Sequence, residues 1–104
     1  MISKEKLLQL FDGNSHLVES YIDLAKKEIP LELEELLIFL KRNNFKDASI
    51  IAHSIKGQCN YLDLKNCSVL AEEIEIKADT NQFRNDKYQL YDRLKFSLTE
   101  ALAI

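Results

Sequence analysis

His53 is one of two histidines in the chain, and the one with potential chemistry around it. Lys56 stands at i+3 and Gly57 at i+4. The surrounding stretch, Phe45 to Leu62, reads as a helix with Ala48, Ile51, Ile55, Cys59 and Leu62 along one face. With His53 at zero on the helical wheel, Lys56 falls at about −60°, Ser49 at about −40°, Asn60 at about −20° and Gly57 at about +40°. The imidazole therefore points to water, away from the apolar stripe. A neutral imidazole is a nucleophile; a nearby ammonium disfavours its protonation and would stabilise a phosphoryl group attached to it. A mid-helix glycine costs about 1 kcal/mol relative to alanine. On the exposed face, Gly57 removes a side chain where another surface must come close. Together these residues suggest a phosphoryl acceptor that docks against another protein, with Ser49, Ile50, Ser54, Asn60 and Tyr61 bordering the site.

His53-Ser54-Ile55-Lys56-Gly57 resembles the H-x-x-K-G motif of histidine phosphotransfer domains, the relay modules of two-component signalling. The likeness extends outward through Leu7-Leu8-Gln9-Leu10-Phe11, the acidic, Leu-rich segment from Pro30 to Leu40, the turn Lys41-Arg42-Asn43-Asn44-Phe45, and Cys67 to Glu75. It implies an all-α fold, an antiparallel up-down four-helix bundle with a short additional N-terminal helix. It also implies that His53 Nε2 accepts a phosphoryl group from a receiver-domain aspartyl phosphate and passes it to another receiver aspartate. Lys56 would orient and neutralise it, and Gly57 would give clearance. The implied partners are response-regulator receiver domains and a hybrid sensor histidine kinase. The chain would have no cofactor of its own, Mg2+ being expected on the receiver. Family members carry a second glycine about six residues after the motif glycine; here that region reads Tyr61-Leu62-Asp63-Leu64. Aspartate tolerates a left-handed turn better than most residues.

The elements that must position His53 are also helical. Ser3 can cap a helix through about Phe11, with Leu7, Leu8 and Leu10 available to cover one end of a bundle. Gly13 suits a helix C′ position, and Asn14 or Ser15 an N-cap. From Ser15 to about Lys41 one long helix is expected, kinked near Pro30, with Val18, Tyr21, Ile22, Ala25, Ile29, Leu31, Leu33, Leu36, Leu37 and Leu40 as its apolar pattern. Leu17 and Leu24 widen that stripe: packing against the first helix is one reading, and a hydrophobic docking strip beside the His53 face is the other. Glu32, Glu34 and Glu35 read as a solvated face rather than a metal cluster. Lys65 or Asn66 to about Ala78 and Gln82 to Leu102 complete the set, the latter carrying Phe83, Leu90, Tyr91, Leu94 and Leu98.

The length of 104 residues, with 46% apolar and 30% charged residues, fits one globular domain. A net charge of −3 gives no reason to expect nucleic acid or an anionic membrane. The longest apolar run, Leu36 to Leu40, is far short of a membrane span, so no membrane insertion is expected. No signal peptide follows Met1, and the expected location is cytoplasmic. Cys59 and Cys67 read as small buried hydrophobes in a reducing compartment, with no second Cys or His at zinc-ligand spacing. No Gly-rich phosphate loop is present, so ATP-dependent kinase activity is not expected. Without the resemblance, the leading reading is a helical protein-interaction module lacking phosphoryl chemistry.

Overall fold

Ser3, Asn14 and Asn44 each start a helix by accepting a hydrogen bond from the backbone N–H three residues on, at Lys6, Leu17 and Asp47. In the computed structural model, which describes residues 2–104, these caps open the first three of five helices. They are α1 (Lys4–Leu10), α2 (Ser15–Lys41), α3 (Phe45–Tyr61), α4 (Lys65–Asp79) and α5 (Lys87–Leu102). No strand occurs among the described residues.

The ends of α1 to α4 share one device. The residue after each C-cap is Asp12, Asn43, Asp63 or Asn81, all in the left-handed region with φ between 53° and 58°. At each end, two backbone N–H groups turn back onto the last-turn carbonyls, as in Leu64 N–H to Cys59 C=O at 2.8 Å and Asp63 N–H to Asn60 C=O at 3.1 Å. This is the Schellman arrangement, built on Asp and Asn in place of Gly. Gly13, expected at C′ of α1, lies one position later; Asp12 occupies C′, and Gly13 donates to Leu8 C=O. Asp63 stands where the resembling family has glycine, and Lys6 Nζ lies 2.8 Å from its carboxylate. The Lys6 contact holds the Asp63 carboxyl below its ordinary value. Asp63→Ala is expected to lose about 1 kcal/mol through the left-handed backbone, while Asp63→Gly keeps the turn; urea midpoints of the two variants decide this.

The core comprises one stripe from each helix: Leu7; Val18, Ile22, Ala25, Ile29, Leu33, Leu36 and Leu40; Ala48, Ala52, Ile55 and Cys59; Cys67, Ala71, Ile74 and Ala78; and Leu90, Tyr91, Leu94, Leu98 and Leu102. Helix α2 packs on α3, α3 on α4, α4 on α5, and α5 back on α2, while α1 rests on α2. The long helix runs without a break through Pro30. Ala52 is fully buried, and Ile51, expected on the apolar face, is only partly so.

Two expectations need correction. The last helix begins at Lys87, not Gln82. Asn81 and Asn85 both take positive φ, and the Asp86 carboxylate is held by Lys77 Nζ at 2.5 Å and Arg84 N–H at 2.9 Å, so the segment between is a folded turn. Phe83 belongs to that turn and packs on Phe45 with ring centroids 5.2 Å apart. The second correction concerns α2. Leu17, Leu24, Leu31 and Ile38 form an exposed ladder with a seven-residue period. Leu17 and Leu24 are about half exposed, and Leu31, more exposed still, is not part of the buried pattern.

Candidate functional site

Ala48, Ala52, Ile55 and Cys59 turn one face of α3 into the core, which leaves His53 outside with 68% of its side chain exposed. The partner helix on that side is α4. Small residues line both helices where they meet, Ala48 and Ala52 on α3 and Ala71 and Ala78 on α4, all buried. Small side chains let helix axes come close, and here even the short Ser49 hydroxyl reaches across to the Glu75 carbonyl at 3.4 Å.

The approach delivers Glu75 to the imidazole. His53 Nδ1 lies 2.8 Å from Glu75 Oε2. An ionised carboxylate only accepts hydrogen bonds, so Nδ1 carries a proton, and in the neutral ring Nε2 is the nitrogen that bears the lone pair. Lys56 Nζ lies 2.7 Å from the other oxygen, Oε1. That atom is buried, and the Lys56 ammonium is its ion-pair partner. Burial pushes the Glu75 carboxyl up, but Lys56 and His53 outweigh it, and the net direction is downward. The same contact raises the Lys56 ammonium above its ordinary value. The ammonium expected to act on the imidazole is thus joined to it through Glu75.

Glu75 is the residue that sequence reasoning missed. It directly follows the buried Ile74 and stands between Ala71 and Ala78 at helical spacing. A carboxylate bordering a small-residue contact was the available signal. Because its folded pKa is depressed, its contribution to stability is full above the ordinary carboxyl range and lost as pH falls through the lower folded value. The midpoint gap between wild type and Glu75→Gln is therefore expected to close as urea titrations move from pH 7 towards pH 3.

On its other flank α3 is held by α2. Glu32 is not a merely solvated carboxylate: one oxygen accepts from Ser54 Oγ at 2.5 Å and the other from the Gln58 amide. Glu34 and Glu35 are exposed, as expected. Between the two clasps lies the crest of α3, with Ile50 exposed and Gly57 open; a Cβ built on Gly57 meets nothing within 4 Å. Gly57→Ala is therefore expected to be as stable as wild type, or more so by up to about 1 kcal/mol. Gly57→Glu should fold yet fail to transfer phosphoryl groups. Normal transfer by Gly57→Glu would defeat the clearance argument, and strong destabilisation of Gly57→Ala would defeat the face assignment.

The remaining candidates gather elsewhere. Asn60 accepts from Ser68 Oγ at 2.5 Å, tying the end of α3 to α4. Tyr61 packs at a tilt on Tyr21 with ring centroids 4.9 Å apart, and Phe11 of the α1–α2 turn lies 5.8 Å from each. Leu17 and Leu24 flank Tyr21 along α2. They accompany Tyr61 rather than His53, two helical turns or about 12 Å away along α3. His16 is exposed in the first turn of α2. Among the described residues, no three His, Cys, Asp or Glu side chains gather to hold a metal, and no helix is long and apolar enough to cross a membrane. Comparison with protein-family models, curated proteins and solved structures finds no match for this chain.

Proposed function

We propose that the chain is a histidine phosphocarrier of the phosphotransfer-domain type, built as an antiparallel up-down bundle of α2 to α5 with α1 across one end. The observation that supports this reading is the His53–Glu75 hydrogen bond, which fixes the proton of the neutral ring on Nδ1 and makes Nε2 the nucleophilic nitrogen of a mostly exposed side chain, on the same helix as the open space at Gly57. The Nε2 lone pair attacks the phosphorus of a receiver's aspartyl phosphate. The N–P bond forms, the acyl P–O bond breaks, and the aspartate leaves as its carboxylate. The phosphorylated ring keeps its proton on Nδ1 and gains positive character, which Glu75 offsets. Lys56, on a flexible stem, can swing from Glu75 to the phosphoryl oxygens. Return to a second receiver aspartate reverses these steps. The chain's share is positioning and charge; the Mg2+ expected on the receiver supplies charge neutralisation there. In this reading the partners are receiver domains and a hybrid sensor kinase in the cytoplasm.

The test is incubation with a phosphorylated receiver domain, followed by detection of acid-labile, base-stable phosphate on this chain. A second reading, a helical interaction module without phosphoryl chemistry, is favoured by the exposed ladder on α2. Binding of receivers or other proteins with no such phosphate under any condition would select it.

A further inference from the structure

We infer that two copies of the chain pair by exchanging α1, each docking this helix on the other's α2 and α3–α4 turn, with Asp12-Gly13-Asn14 as the hinge. Helix α1 has seven residues, well short of the roughly 12–15 at which a helix in water begins to hold by itself. It stands because it docks. Leu7 is buried in the core, and Ile2, Leu8 and Phe11 pack partly against it. Lys4 Nζ lies 3.0 Å from Glu19 and Lys6 Nζ 2.8 Å from Asp63. Both lysines are mostly exposed, and ion pairs of that kind hold weakly. A contact this small opens before the rest of the bundle does.

Opening uncovers the apolar slot of Leu7 and parts Glu19 and Asp63 from their lysines, on a body that is otherwise folded. What fits that ground is a helix with the spacing of Lys4, Lys6 and Leu7, and a second copy supplies it. Two open copies that trade α1 remake the closed contacts between chains, so only the hinge and the act of association distinguish the two states. The hinge favours the trade. Asp12 and Gly13 are consecutive left-handed residues, with φ of 53° and 78°. That conformation is disfavoured for the aspartate, and an extended hinge releases it. The bonds that close the turn, from the Asp12, Gly13 and Asn14 N–H groups, are made by exposed residues, where water replaces them.

The apolar surface around the hinge identifies the occupant as a second copy rather than a foreign helix. Extended, three residues reach about 10 Å, so the exchange draws the starts of the two α2 helices together. Leu10, Leu17 and Leu24 stand there, 58%, 48% and 50% exposed. Leu10 precedes Leu17 by seven residues, in step with the ladder on α2 although a turn separates the helices. The closed chain leaves these leucines in water, and the crossing of two exchanged copies covers them. The pairing involves no part of the His53 site.

The test uses the unaltered chain. Unlabelled and nitrogen-15-labelled protein are mixed, unfolded together in urea, refolded at high concentration and separated by size. A carbodiimide then joins Lys6 to Asp63 as an amide, because the two side chains touch whether the contact lies within one chain or between two. Trypsin releases the link as residues 5–26 joined to residues 57–65. The expected result is a dimer in which about half of the linked product carries one light and one heavy peptide, beside a monomer in which none does. Refolding to monomer alone would overturn the inference. So would a dimer whose linked peptides always share one label, since its two copies would each have kept α1 in place.

Discussion

On the proposed function, His53→Gln is expected to lose phosphoryl uptake from a phosphorylated receiver entirely, while its far-UV circular dichroism should overlay that of wild type. The imidazole is mostly exposed and belongs to no core contact, so folding does not depend on it. Glutamine is a good helix former, and its amide N–H can still donate to Glu75. What it lacks is a nucleophilic nitrogen, and among the described residues the other histidine, His16, makes no hydrogen bond or ion pair to a carboxylate. Radiolabel transfer from the receiver, read alongside helicity, separates the two effects. Uptake that persists in this variant moves the site elsewhere and sinks the proposed function.

Glu75→Ala is expected to produce the second large effect, a fall in transfer rate of roughly 10-fold to 100-fold, by analogy with the range for partners that orient metal-ligating histidines. Without the carboxylate, Nδ1 has no fixed acceptor, the two neutral tautomers interconvert, and the ring is free to turn. Stability should change little, because partly exposed ion pairs contribute about 0–1 kcal/mol. Glu75→Gln keeps a carbonyl oxygen for the Nδ1 proton and should retain more activity than Glu75→Ala. A nitrogen-15 NMR spectrum of the ring supplies a signature that a structural role would not move. Wild type should show the Nδ1–H form, and Glu75→Ala a mixture. An unchanged rate and an unchanged tautomer in Glu75→Ala would reduce Glu75 to an interhelical contact.

The exposure of His53 and the openness beside Gly57 were legible because both depend only on the phase of one helix, which Ala48, Ile55 and Cys59 set. Glu75 and Glu32 were not, because their roles depend on the rotation of α4 and α2 about their own axes, which no pattern within α3 carries. The turns show the same division. Asp63 could be read as a tolerated left-handed residue, whereas Asp12, Asn43 and Asn81 play the same part without a glycine to mark it. Phe83 misled because an aromatic at helical spacing from Leu90 looks like the same stripe, while the positive φ at Asn85 cuts the helix between them.

The exposed ladder on α2 has a phase of its own. A seven-residue period lags a straight α-helix by about 20° per heptad. From Leu17 to Ile38 the ladder therefore winds about 60° around the helix, away from the side on which Tyr21 and Glu32 meet α3. Only Leu17 and Leu24 stay near that seam. By the level of Glu32, which grips α3 next to His53, the leucines have rotated off it. The apolar ground nearest to α3 and His53 are thus out of step, and on the proposed function a receiver covering both would place its apolar contacts about 12 Å along α3 from the aspartate that meets His53.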